Sequence, residues 1–185
     1  MDDKLQQELY DKYPDLFIEK NLGMKETCMC WGIDCDSGWA SLIDYICSYI
    51  AMNLKYNWHC YPRFRFRQVK EKFGTLRLYY VTERMSLEEY FKKCLDSDRN
   101  EYLKKSVDSS EFAIEYEKYV EQCKRGAECF DGAVNFAEHM SSHICEICGT
   151  NQDADIRHRG NWLKTLCFDC MDIQGYDVTE DEKKK

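Results

Sequence analysis

Proline is nearly absent from this 185-residue chain, which has only Pro14 and Pro62. No Pro-rich linker therefore divides it. Long apolar runs are missing too, so no stretch reads as a membrane-spanning helix. The first ten residues, MDDKLQQELY, are acidic and polar, which is not how a secretory leader begins. Familiar catalytic signatures are also lacking. There is no Gly-x-Ser-x-Gly elbow, no Gly-rich phosphate loop and no His-Glu-x-x-His. Positive charge is in deficit, and the net charge is −8.

Cysteine, by contrast, is abundant, with 12 residues. Without a leader, that number predicts a reducing cytoplasm and metal ligation rather than a disulfide framework. Cys145 and Cys148 form one Cys-x-x-Cys pair, Cys167 and Cys170 another, and 18 residues separate the pairs. Two intervening residues let one tight turn present both sulfurs to a single ion. Gly149 follows the first pair, where a zinc knuckle needs a residue tolerant of positive φ. Four thiolates complete a closed tetrahedral shell, so the expected Zn is structural. A redox reading would need one such motif in a thioredoxin-like setting. His143 and His158 are close enough in sequence to replace a cysteine, but neither is needed.

A second metal site is conceivable at Cys28, Cys30 and Cys35, with Cys60 or His59 as fourth ligand. Its Cys-x-Cys spacing is a looser pattern than the C-terminal one. Buried thiols are the alternative.

Charge is unevenly spread. Residues 55–84 carry eight Lys/Arg against two Asp/Glu, a local +6 that leaves −14 for the remainder. Within this stretch Phe64 and Phe66 alternate with Arg63, Arg65 and Arg67, and Leu76, Leu78 and Tyr80 alternate with polar residues. Alternation predicts an antiparallel hairpin over 63–82, with KEKFG (70–74) as its turn. Arg63, Arg65, Arg67, Lys70, Lys72 and Arg77 are candidate nucleic-acid contacts beside flat rings. Their alternative is a solvated face, or one paired with acidic helices. Arg157, Arg159 and Lys164 would add to a nucleic-acid surface only if they shared its face.

The rest reads as helix. A short one is expected over 2–12, ended by Pro14. Trp39, Leu42, Ile43, Ile46 and Ile50 mark a second, capped by Asp36 or Ser37 and running to about Leu54. Ser86 and Glu89 form a capping box for a third, reaching about Leu95. DSDRN (96–100) reads as a turn. Ser110–Met140 is a long helix with Phe112, Tyr116, Tyr119 and Cys123 on one stripe and Phe130, Val134 and Ala137 continuing it. Gly126 is a candidate break or kink. The predicted class is α+β: helices around a small antiparallel hairpin or sheet, with a C-terminal zinc module. A mainly helical body spans 1–141, the zinc module 142–178 and a charged tail 179–185.

KYPDLF (12–17), CDSGWASLID (35–44), QVKEKFGTLRLYY (68–80), CEICG (145–149) and NWLKTLC (161–167) occur in that order. Together they resemble a family of small phage and prophage proteins with a Gly-Trp motif, a VKEKFG-x-LR-x-Y core and a C-terminal Cys-pair module. The resemblance covers most of the chain, with roughly 96–125 poorly matched. It implies a phage accessory protein in the host cytoplasm and supplies no activity. The zinc module itself resembles a treble clef, a fold that some HNH nucleases share. Here His158, Asn161 and Asp172 do not complete an HNH constellation, and the 18-residue gap leaves little room for a catalytic hairpin. The expected function is therefore non-enzymatic: binding of a host macromolecule, a protein in first place, that blocks or redirects a host or anti-phage defence complex. Direct nucleic-acid binding is the alternative, and a small zinc nuclease the third.

Overall fold

Helix α1 (Asp3–Lys12) begins at Asp2, whose carboxylate accepts from the backbone of Lys4 at 2.9 Å and satisfies an orphan N–H of the first turn. The computed structural model describes residues 1–96 and 109–178, and the architecture is mixed α+β. The expected turn at 96–100, beyond Asp96, and the tail at 179–185 lie outside the described residues.

Helix α2 (Ala40–Tyr56) buries Ile43, Ile46 and Ile50 as the spacing predicts, and Trp39 just ahead of it is fully buried. The expected cap is different. A short 3-10 turn, Ser37–Trp39, leads into α2, and no side chain caps it. Asp36 instead pairs with Lys164, and the Ser37 hydroxyl accepts from the backbone of Asp2 at 2.9 Å. Both candidate caps are used for tertiary docking.

Strands β2 (Arg63–Lys72) and β3 (Thr75–Glu83) form the predicted antiparallel hairpin. The turn is shorter than KEKFG. Lys72 pairs with Thr75, so only Phe73 and Gly74 turn, both at positive φ. That is the two-residue geometry whose twist suits a hairpin. A bulge between Phe66 and Gln68 shifts the alternation, so Phe64, Phe66 and Val69 all face the core. Strand β1 (Ile33–Asp34) pairs parallel to β2, Ile33 opposite Val69, giving sheet order β1-β2-β3.

Helix α3 (Leu87–Asp96) starts at the predicted capping box. The Ser86 amide donates to Glu89 Oε2 at 2.8 Å, and the Glu89 amide donates to Ser86 Oγ at 3.2 Å. Helix α4 (Ser109–Met140) runs unbroken through Gly126. A Cβ there would lie 2.3 Å from the carbonyl oxygen of Cys60. Gly126 thus admits the α2–β2 connection against the helix rather than kinking it. The C-terminal end of α4 also covers the outer edge of β3. Leu76 N–H donates to Ser141 Oγ at 2.8 Å and Leu78 N–H to Glu138 Oε1 at 2.7 Å, so side chains satisfy an edge that would otherwise invite pairing.

The main core gathers Phe17, Trp39, Ile43, Ile50, Phe66, Val69 and Leu76 from α2, the sheet and the loops before them, with Phe130 and Val134 of α4. A satellite core of Met85, Tyr90, Cys94, Tyr119 and Cys123 joins α3 to the N-terminal half of α4. Strands β4 (Asp155–Arg159) and β5 (Trp162–Leu166) make a second hairpin, followed by α5 (Phe168–Gln174).

Candidate metal centre

The tight turn after Ile144 places the first pair of sulfurs. Cys145 N–H donates to the Thr150 carbonyl at 2.8 Å, and Gly149 N–H closes the turn on the Cys145 carbonyl at 2.9 Å. Gly149 has φ 78°, as the knuckle reading requires. Hairpin β4–β5 then leads to Cys167, which precedes α5, and Cys170 sits in its first turn. Knuckle, hairpin and helix follow in treble-clef order.

The four sulfurs of Cys145, Cys148, Cys167 and Cys170 lie within 4.8 Å of one another. A tetrahedral ion with metal–sulfur bonds near 2.3 Å demands sulfur–sulfur edges of about 3.8 Å. Cys148 Sγ is 3.7 Å from Cys167 Sγ, so that edge is already the right length. Cys145, Cys167 and Cys170 are buried, whereas Cys148 is exposed. Burial raises the Cys145 thiol, but the backbone N–H groups of Cys148, Cys167 and Ile147 outweigh it and bring it down to about 7. Burial and its neighbouring thiols push Cys170 up. A bound cation would favour the thiolate form of all four sulfurs. Four soft thiolates in this geometry could hold one metal ion.

The knuckle is packed directly on the body. Gly38 N–H donates to the Glu146 carbonyl at 2.7 Å, and the Trp39 indole N–H donates to the Ile144 carbonyl at 2.8 Å. A Cβ on Gly38 would lie 2.2 Å from the Cys145 oxygen and 2.6 Å from the Gly149 nitrogen. The Gly-Trp pair is thus the body's half of this joint. Glu146 is buried, accepts from the Asp36 amide at 3.1 Å and faces Lys164 at 3.7 Å. Burial, the largest effect, raises its carboxyl to about 7 against the pull of the Asp36 amide and Lys164. Thr165 Oγ1 donates to the Gly74 carbonyl at 2.6 Å, tying β5 to the β2–β3 turn. The sequence signal for this joint was the SGW triplet itself, two small residues before an indole.

The other expected ligands are not brought together. Among the described residues, the C-terminal four form the only grouping of three or more His, Cys, Asp or Glu placed to hold a metal. Cys28 is exposed, Cys30 donates its thiol to the Thr27 carbonyl at 3.2 Å, and Cys35 is buried in the main core. Cys60 lies in the segment packed against Gly126. These four cysteines have separate local surroundings, so the second site is not formed. His143 is exposed, and His158 Nε2 bonds the Val178 carbonyl at 2.8 Å, so neither histidine joins the cluster.

The arginines of the basic hairpin are paired with carboxylates of the same molecule. Arg65 and Arg67 converge on Glu19 Oε1 at 2.8 and 3.2 Å, and Arg65 also reaches Glu83 at 3.0 Å. Arg63 holds Glu89 at 2.8 Å, and Arg77 faces Glu138 at 3.8 Å. Lys70 and Lys72 lie over the rings of Tyr79 and Phe73 and have no ion pair among the described residues. In the C-terminal module, Arg157 is buried and donates to the carbonyls of Leu166 and Asp153. Arg159 covers Tyr176, and Lys164 is held by Asp36 and Glu146. These three do not add to a common cationic face.

Compared with known proteins, the chain matches no family model, no curated protein and no solved structure. Among the described residues, no helix is long and apolar enough to cross a membrane.

Proposed function

We propose that this chain is a non-enzymatic, zinc-stabilised protein that captures a partner protein, a host protein in the phage setting that the sequence resemblance implies. The zinc is structural, because four thiolates leave it no open position for substrate or water. His158 does not act as a base in this reading, since its ring is engaged with the Val178 carbonyl.

The observation that carries partner capture is the outer face of α2. Tyr45, Tyr49, Met52 and Tyr56 recur there at helical spacing and stay exposed, with Tyr45 at 75%. Phe136 of α4, 64% exposed, borders the same groove with Leu42 and Ala133. Exposed aromatics in one patch are the composition of a protein interface core. The charge of the hairpin arginines, by contrast, is already matched within the chain. Such a face supports docking of a partner protein; that the partner is a host complex, and that docking blocks or redirects it, is part of the same proposal.

A second reading is nucleic-acid contact at the hairpin tip, favoured by Lys70 and Lys72 lying over Tyr79 and Phe73. One experiment separates the two. Zinc-loaded protein and a Tyr45→Asp/Phe136→Asp variant are compared for capture of host proteins and for gel shift of DNA and RNA at two salt concentrations. Specific capture lost in the variant supports the first reading. Nucleic-acid binding that weakens steeply with salt and is abolished by Lys70→Glu/Lys72→Glu replaces it with the second.

A further inference from the structure

A cleft of about 1020 Å³ opens where the two cores meet, and none of its lining residues comes from the four-cysteine module. Tyr13, Leu16 and Phe64 contribute from the main core, and Trp58 and Met85 from the satellite core. Small-molecule sites favour junctions between packed units.

Its charge differs from that of the molecule. Six cations, Lys12, Lys55, Arg63, Arg65, Arg67 and Lys93, line it. Four carboxylates, Asp15, Glu19, Glu26 and Glu83, oppose them, so the cleft is +2 in a chain of −8. Arg65 and Arg67 are committed to Glu19, Lys12 to Asp44 at 2.7 Å and Arg63 to Glu89 at 2.8 Å, which leaves Lys55 and Lys93 as the cations the cleft does not spend on itself. Lys55 and Lys93 have no carboxylate within ion-pairing distance among the described residues. Lys93 instead lies 5.0 Å over the Trp58 ring, and Lys55 5.1 Å over Tyr56. Lys93 is pushed below its ordinary value, first by burial and then by Arg63. An anion entering the cleft would oppose that shift by its charge, as Asp15 already does in part.

We infer that this cleft binds a phosphate-bearing ligand with a planar ring, of the nucleotide class. Lys55 and Lys93 meet the phosphates. The Lys93 ammonium that now covers Trp58 turns to them, and the indole face it releases stacks the ring. The volume sits at the upper end of the range for small-ligand pockets, about 300–1,000 Å³, so a whole nucleotide has room. The inference uses no residue of the α2–α4 face and stands apart from partner capture.

Calorimetric titration of the zinc-loaded full chain with ATP, GTP, pyrophosphate and adenosine tests it. Saturable binding of a nucleotide is expected, tighter than pyrophosphate or adenosine alone. Lys55→Ala and Lys93→Ala should each weaken it by about tenfold, the usual scale for losing a charged hydrogen bond. Trp58→Leu should weaken nucleotide while sparing pyrophosphate. Zinc content and thermal midpoint of the lysine variants should match the parent, since neither side chain belongs to a core cluster or holds an ion pair among the described residues. No saturable binding at millimolar nucleotide overturns the inference, as does nucleotide binding unchanged by both lysine substitutions. Pyrophosphate binding as tightly as nucleotide overturns the ring-bearing ligand, and adenosine binding as tightly overturns the anion.

Discussion

One methyl group at residue 38 would sit 2.2 Å from the carbonyl oxygen of Cys145. Both sides of that contact are backbone, so no flexible side chain can give way. Gly38→Ala should therefore cost about 3 kcal/mol in urea unfolding, the upper part of the overpacking range. Gly132 is the control. It lies inside α4, and a Cβ there would meet nothing within 4 Å. Gly132→Ala should stabilise by about 1 kcal/mol through helix propensity alone. Equal effects of the two substitutions would mean that the Gly38 contact is not a tight joint. The Gly-Trp motif thus acquires a physical role: glycine for approach, and indole for burial with its N–H on the Ile144 carbonyl.

Elements were legible where periodicity or capping chemistry is local. The α3 capping box formed as written because Ser86 and Glu89 need only each other's backbone. The same proximity makes a pH prediction. Arg63, then the Ser86 amide and hydroxyl, hold the Glu89 carboxyl at about 2, well below its ordinary 4.5. Its contribution is therefore complete above pH 4.5 and is lost as pH falls toward 2. Glu89→Gln should flatten that acid limb of stability against pH, and parallel curves for parent and variant would contradict this. Elements were misread where a residue serves a distant segment. Asp36 and Ser37 have the chemistry of helix caps, but Lys164 and the start of the chain claim them. Gly126 has the composition of a break, but its missing side chain admits the Cys60 segment. Strand β1 is two residues long, too short for any alternation to register. The four metal-site cysteines were legible because spacing alone carries that geometry. The absence of a second site was not, because Cys28, Cys30, Cys35 and Cys60 are separated only by tertiary packing.

Across the whole molecule, much of the charge is matched internally, and the four-cysteine cluster that could hold a metal is packed on the body. Arg63, Arg65, Arg67 and Arg77 of the +6 stretch are answered by Glu19, Glu89 and Glu138 from outside it and by Glu83 within it, so they organise the fold, while Lys55, Lys70 and Lys72 have no ion pair among the described residues. The four-cysteine module touches the body at Gly38, Trp39, Asp36 and Gly74. If zinc is what closes that module, its binding free energy is folding free energy, and the joint passes part of it to the body. Metal analysis by plasma mass spectrometry, on protein purified without chelator and on its Cys148→Ser/Cys167→Ser variant, tests this most directly. One zinc per chain is expected in the parent, none retained in the variant, and a lower thermal midpoint for the variant. A parent free of zinc, or a variant that keeps it in full, would mean that the four cysteines do not hold a zinc ion.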